Sequence, residues 1–214
     1  MQGNTDDGGT VTVWDYDPAY RGSNFVGNLR VNRPAERDPV RDTFELVLTK
    51  RATGKWGLLG SLTLQKIDRA ITGVAQSPND DFNDIDDTWD WNYKANGNYE
   101  LPWRTSLSGS LQVYNGIKRQ RTYLFRNIPN AGTVTLRMEP YAHDAAPART
   151  LLSLRLTKNM PLQNGRRLGV SLDILNALNS NSIWTMSDVS GPTYGQINTF
   201  TSPRILRGGV TYTF

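Results

Sequence analysis

From residue 42 onward the chain alternates apolar and polar residues with a period of two, in seven blocks separated by turn and loop sequence. The blocks are 42–51, 56–66, 88–101, 103–113, 149–158, 166–176 and 204–214. In the first, Phe44, Leu46 and Leu48 oppose Glu45, Val47 and Thr49. The third is the cleanest. Trp89, Trp91, Tyr93, Ala95, Gly97, Tyr99 and Leu101 share one face, and Asp90, Asn92, Lys94, Asn96, Asn98 and Glu100 share the other. The last runs to the final residue, with Leu206, Gly208, Val210, Tyr212 and Phe214 against Arg207, Gly209, Thr211 and Thr213. Such alternation predicts strands with one apolar and one polar side.

The blocks are each roughly ten residues, about the length that crosses a bilayer at a tilt. Their connections alternate short, long, short, long, short, long. Outer-membrane barrels sort their loops this way, with short periplasmic turns and long extracellular loops. The pattern therefore predicts an all-β fold: an antiparallel up-and-down meander forming a partial transmembrane β-barrel. Aromatics on the apolar side collect near strand ends. Trp89 and Trp91 fall at one end, and Trp56, Tyr99 and Trp103 at the other, as two interfacial girdles require. The opposite side carries Asp90, Lys94, Glu100, Arg155, Arg167, Asp173 and Arg207. A dry core does not accommodate so many charges, whereas a wet lumen does. Residues 1–41 are polar and rich in turn formers. They are expected as an extracellular loop region with local hairpin structure, including a short strand within Thr10–Tyr16. Val31 to Pro34 and Pro39 break any longer pattern.

Composition narrows the function. The chain has 214 residues and no cysteine, which removes disulfide frameworks and cysteine-based metal or nucleophile chemistry. A single histidine, His143, leaves no His-pair metal site. Apolar content is 37 %, yet there are six Trp, nine Tyr and six Phe. A barrel that needs only alternate residues to be apolar has this balance. No run approaches the ~20 apolar residues of a transmembrane helix. The net charge of +4 is dispersed among acids, so no nucleic-acid partner is expected. Met1 to Gly9 has no positive n-region or apolar h-region, so it does not read as a signal peptide.

Three segments carry a family resemblance. Leu151–Lys158, Gly165–Asn179 and Pro203–Phe214 resemble the C-terminal strands of TonB-dependent outer-membrane receptors. The run Asp173-Ile-Leu-Asn-Ala-Leu-Asn179 is the most specific. Asn32–Pro34, Thr49–Arg51, Gln76–Asn79 and Thr88–Trp91 are similar to the Oar-like branch, whose members carry a carboxypeptidase-regulatory-like domain ahead of the plug. The resemblance implies a cell outer-membrane location and about 22 barrel strands in the whole family member. It implies as partners the outer-membrane lipid, the remaining barrel strands and plug of a parent receptor, and the barrel-insertion machinery. Val210, Tyr212 and Phe214 would form the assembly signal which that machinery recognises. No plug and no TonB-contacting box appear in the chain. It therefore reads as the C-terminal third of a receptor, contributing barrel wall, loops and insertion signal rather than transport by itself.

Candidate chemistry is sparse. Asp80, Asp81, Asp84, Asp86 and Asp87 supply oxygen ligands of the kind Ca²⁺ takes, but without the Gly and closing Glu of an EF-hand loop. A solvated extracellular loop explains them better. Arg119, Arg121 and Arg126, with Tyr123 and Phe125 between them and Lys118 beside them, form a possible ligand-contacting loop for an anionic partner, or again a solvated loop. No nucleophile elbow or phosphate loop occurs, and neither catalysis nor a cofactor is expected. Two other readings fit parts of the pattern. One is a small complete outer-membrane barrel with a structural or adhesive role. The other is a soluble carbohydrate-binding module with Trp89, Trp91 and Trp103 as a sugar platform and its leucine rows covered by a second sheet.

Overall fold

The computed structural model describes residues 2–4, 10–20, 38–72, 75 and 77–214. The fold is all-β and antiparallel. Seven strands form one sheet in sequence order: β1 (Val40–Lys50), β2 (Trp56–Ala70), β3 (Ile85–Leu101), β4 (Thr105–Tyr114), β5 (Arg149–Pro161), β6 (Arg167–Leu175) and β7 (Ile205–Thr213). Each pairs only with its neighbours in sequence, as an up-and-down meander does. Successive connections therefore lie at opposite ends of the sheet. Short turns gather at one end and long loops at the other.

Strand ends depart from the sequence expectation where pairing outruns alternation. β2 and β3 continue to Ala70 and back to Ile85, because Ile67↔Thr88 through Ala70↔Ile85 extend the ladder. The loop expected over 67–87 shrinks accordingly. Trp103 does not start β4 as expected. It and Arg104 both take φ of +59°, a left-handed pair that closes the turn between Leu101 and Thr105.

The register sorts the side chains into two faces, since partners in a ladder project to the same side. One row runs Leu46–Leu62–Tyr93–Val113, and another runs Tyr99–Leu107–Leu156–Leu172–Gly208. On the reverse, Ser61–Lys94–Gln112 and Asn98–Ser108–Arg155–Asp173–Arg207 lie in line. Because the period is two, one slip of register would exchange the faces. The uninterrupted ladders hold it.

The buried hydrophobic cluster lies outside this sheet. It forms at the long-loop end from Val13, Phe125, Val134 and Leu136, with Val11, Tyr123 and Met138 against it. A hairpin of Thr122–Ile128 and Gly132–Arg137 supplies most of it. A second hairpin, Ile183–Met186 with Ile197–Phe200, stands in the last long loop. The segment Thr10–Thr12 pairs with Gln2–Asn4 and leads into the cluster. The resemblance at Asn32–Pro34, the break at Val31 and Pro34, and Gln76 lie outside the described residues. Among those described, no helix is long and apolar enough to cross a membrane, which bears only on helices.

Candidate functional site

The apolar face is uncovered. Phe44 is 57 % exposed, Leu48 61 %, Leu206 66 % and Val210 72 %. Nothing in the described chain packs over these rows. Aromatic rings mark both ends of the face. Trp56 pairs with Tyr99 at the short-turn end, and Trp89 and Trp91 sit near the other. Lys50 places its ammonium 3.9 Å from the centre of the Trp56 ring, so the positive charge caps the apolar band at its border. Lys158 lies on this face between Thr105 and Val170, near the same border, where a long stem can carry its charge to the edge. Mid-face, Gly97 and Gly109 pair and leave a hollow walled by Tyr99, Leu107, Leu111 and Leu154. Of the expected assembly-signal residues, Val210 and Tyr212 stand on this face. The Phe214 ring lies 6.3 Å from that of Tyr212 and is almost wholly exposed.

The polar face carries a charged triad. Asp173 on β6 accepts from Arg155 Nε at 2.6 Å and Nη2 at 3.2 Å on one side, and from Arg207 Nε at 2.9 Å on the other. Ser108, Ser110, Ser153 and Asn96 line the hollow beside it. All three charges were legible as residues of the polar face. Their mutual pairing was not, because it depends on strand register. The same register explains the Asp173–Asn179 run. Asn176 is buried with φ of +50°, and its amide donates to the carbonyls of Ser180 and Ser202, both at 2.8 Å. Asn179, also left-handed, accepts the Arg204 N–H at 3.0 Å. Both asparagines fix the base of the last long loop, in a conformation Asn tolerates better than most residues.

The long loops are tied to one another by ion pairs. Arg119 is buried and reaches Asp144 and Asp188, each at 2.9 Å, while Tyr194 stacks against its guanidinium. Burial disfavours its charge, but the hydrogen bond it donates to Asp188, the Asp188 carboxylate, the Tyr194 phenol oxygen and the Asp144 carboxylate outweigh it. Its pKa is raised. Tyr141 is pushed above the usual phenol range by burial first and by the Asp86 carboxylate second. Arg121 pairs with Glu139 at 3.3 Å. The Tyr123 and Phe125 rings meet at a tilt of 45° with centres 4.6 Å apart, and Phe125 belongs to the buried cluster. Of the expected ligand-contacting residues, only Arg126 is exposed. Arg119, Arg121, Tyr123 and Phe125 are engaged in holding the loop layer together.

The five aspartates do not converge. Asp84 meets Arg137 at 3.3 Å and accepts the Thr72 N–H at 2.7 Å, while Asp86 meets Arg69 at 3.3 Å. Asp87 pairs with Lys66 at 2.8 Å, and Asp80 accepts from the Ser77 backbone at the start of the short helix Pro78–Asp81. Asp81 is exposed. Among the described residues no group of three or more His, Asp or Glu is placed to hold a metal ion. Trp89 and Trp91 share a face, but Trp103 projects from a turn at the other end of β3, so the three rings form no common platform.

The sequence pattern gave no sign of Asp15 and Asn79. Asp15 accepts the backbone N–H groups of Asn130 and Ala131, at 3.1 and 2.8 Å. Asn79 bonds Trp14 twice, accepting from its N–H and donating to its carbonyl, both at 2.9 Å. Both are polar residues in turn-rich sequence, where long-range partners leave no local signal.

Comparison with family models, with curated proteins and with solved structures found no match.

Proposed function

We propose that this sheet is a stretch of barrel wall in a Gram-negative-type outer membrane, belonging to a TonB-dependent receptor of the Oar-like kind. The observation that carries the reading is the uncovered apolar face, continuous over seven strands and edged by aromatics at both ends. Its height fits. Trp89 and Tyr99 lie ten positions apart on β3. That is about 33 Å along an extended strand. At a tilt of roughly 40° it spans about 25 Å, the height of the apolar band in outer-membrane barrels.

In this reading lipid meets the apolar face, the long loops face outward and the short turns face the periplasm. Val210, Tyr212 and Phe214 address the insertion machinery. Strand direction adds a constraint. β1 and β7 both run from the long-loop end to the short-turn end, since an odd number of alternating strands begins and ends alike. An all-antiparallel closed barrel therefore needs an odd number of further strands between them. A receptor barrel of about 22 strands supplies an odd remainder.

The test is refolding into vesicles of lipids brominated at different depths, using single-tryptophan variants. Variants retaining only Trp56 or only Trp89 should be quenched most by bromines near the headgroups. A tryptophan placed by Leu62→Trp should be quenched most by bromines deep in the acyl chains. A chain that stays monomeric in lipid-free buffer and shows no quenching at any depth would refute the proposal.

A further inference from the structure

We infer that the polar face of β5–β7 holds a binding site for a small anionic solute, a carboxylate or a phosphate, between Arg155 and Arg207. The first ground is an unbalanced charge. Two guanidiniums converge on the single carboxylate of Asp173, so the cluster keeps one net positive charge. Arg155 and Arg207 remain 53 % and 64 % exposed while making these contacts. A guanidinium has about five N–H donors in a rigid fork. The carboxylate engages only part of each fork, and the rest stays open to the face.

The second ground is the surroundings. The hollow beside the triad measures about 380 Å³ and is lined by Ser108, Ser110, Ser153 and Asn96. These short side chains leave room above them and offer hydroxyl and amide donors. The third ground is the field. On β5, β6 and β7 the polar face carries Arg149, Arg155, Arg167 and Arg207 against Asp173 alone. β1 to β3 balance the other way, with Arg41, Arg69 and Lys94 against Glu45, Asp86, Asp90 and Glu100. An anion on this face is drawn toward β5–β7. There two arginine forks can grip it in the bidentate manner suited to carboxylate and phosphate. Asp173 holds the forks in position and limits the affinity, because its own charge opposes the ligand's.

The site does not depend on what covers the opposite face. The test is calorimetric titration of the refolded chain with citrate and with inorganic phosphate, against chloride at constant ionic strength. Saturable millimolar binding of at least one is expected. Arg155→Gln with Arg207→Gln should weaken it about tenfold or more. Arg167→Gln, on the same face but outside the cluster, should change it little. Asp173→Asn provides the signed control. It removes the opposing charge and should tighten binding, whereas mere damage to the fold would weaken it. Binding of citrate alone assigns a carboxylate solute, and of phosphate alone a phosphate-bearing one. Three results would overturn the inference: no saturable binding of either anion, equal weakening by Arg167→Gln and the double variant, or weakening by Asp173→Asn.

Discussion

Arg155 Nε lies 2.6 Å from Oδ1 of Asp173, across adjacent strands at positions that face each other in the β5–β6 ladder. Arg207 completes the row from β7. The cluster therefore reports register over three strands at once. Asp173→Ala would leave two guanidiniums side by side with no charge between them. Its thermal midpoint is expected to fall by about 2–4 °C. Removing both arginines as well should recover part of that loss, because the repulsion goes with them. Thermal melts of the single, double and triple variants decide the point. A triple variant less stable than Asp173→Ala would show that the arginines stabilise the sheet without the carboxylate.

The two faces differ in what they accept. Leu62 lies mid-strand on the apolar face, between Leu46 and Tyr93, and Ser61 lies beside it on the polar face. If lipid covers the first, Leu62→Arg should cost about 2–4 kcal/mol, the range for a charge near the midplane of a barrel's lipid face. Ser61→Arg should cost far less. Urea unfolding of the vesicle-bound chain, followed by tryptophan fluorescence, measures both. Equal costs would remove the distinction between the faces.

Much of this arrangement was legible in advance because a period of two is a local signal. The Phe44, Leu62, Tyr93 and Leu154 rows could be assigned to one side from spacing alone, and register then placed them together. The charges of the polar face were legible for the same reason. What escaped were contacts across loops. Arg119 sits 69 residues from Asp188, its hydrogen-bond partner, and Asp15 lies 115 residues from Asn130. No periodicity encodes such pairs. Arg119 and Phe125 looked like free loop residues because a cation and an aromatic among turn formers read the same whether exposed or enclosed. The Trp103 turn escaped because a tryptophan in left-handed backbone runs against its steric preference.

The long-loop layer is expected to loosen when its central cation is removed. Arg119→Ala breaks the links to Asp144 and Asp188 and the stacking with Tyr194. Limited proteolysis within residues 139–148 and 187–196 should speed up roughly tenfold, the change that about 1.4 kcal/mol of lost local stability gives. The β-sheet should keep its unfolding midpoint, since the clamp contacts none of its seven strands. Unchanged cleavage would mean that the hairpin cluster around Phe125 orders the loops without Arg119.

The terminal strand offers a test in cells. Tyr212 and Phe214 project from the same face, two residues apart, with rings 6.3 Å from each other. If the sheet belongs to a longer receptor whose last strand the insertion machinery reads, deleting Phe214 from that receptor should lower its folded level in outer-membrane fractions, and Phe214→Tyr should largely restore it. A deletion variant present at the normal folded level would remove the assembly role from Phe214.

The free edges of β1 and β7 govern the last expectation. Among the described residues no strand pairs with the outer edge of either, and nearly every residue of β1 is exposed. Such edges attract further strands. A second copy inserted in the same orientation cannot supply a suitable one. Both edges run the same way, so β1 to β1, β7 to β7 and β1 to β7 would all pair in parallel, whereas every ladder within the sheet is antiparallel. Refolded alone into vesicles, the chain should therefore form no SDS-resistant species that migrates as a closed barrel before boiling. It should instead give a spread of sizes that mild cross-linking captures. A sharp SDS-resistant band at monomer size would mean that seven strands close through a parallel seam between β1 and β7, and the need for an odd number of further strands would fall with it.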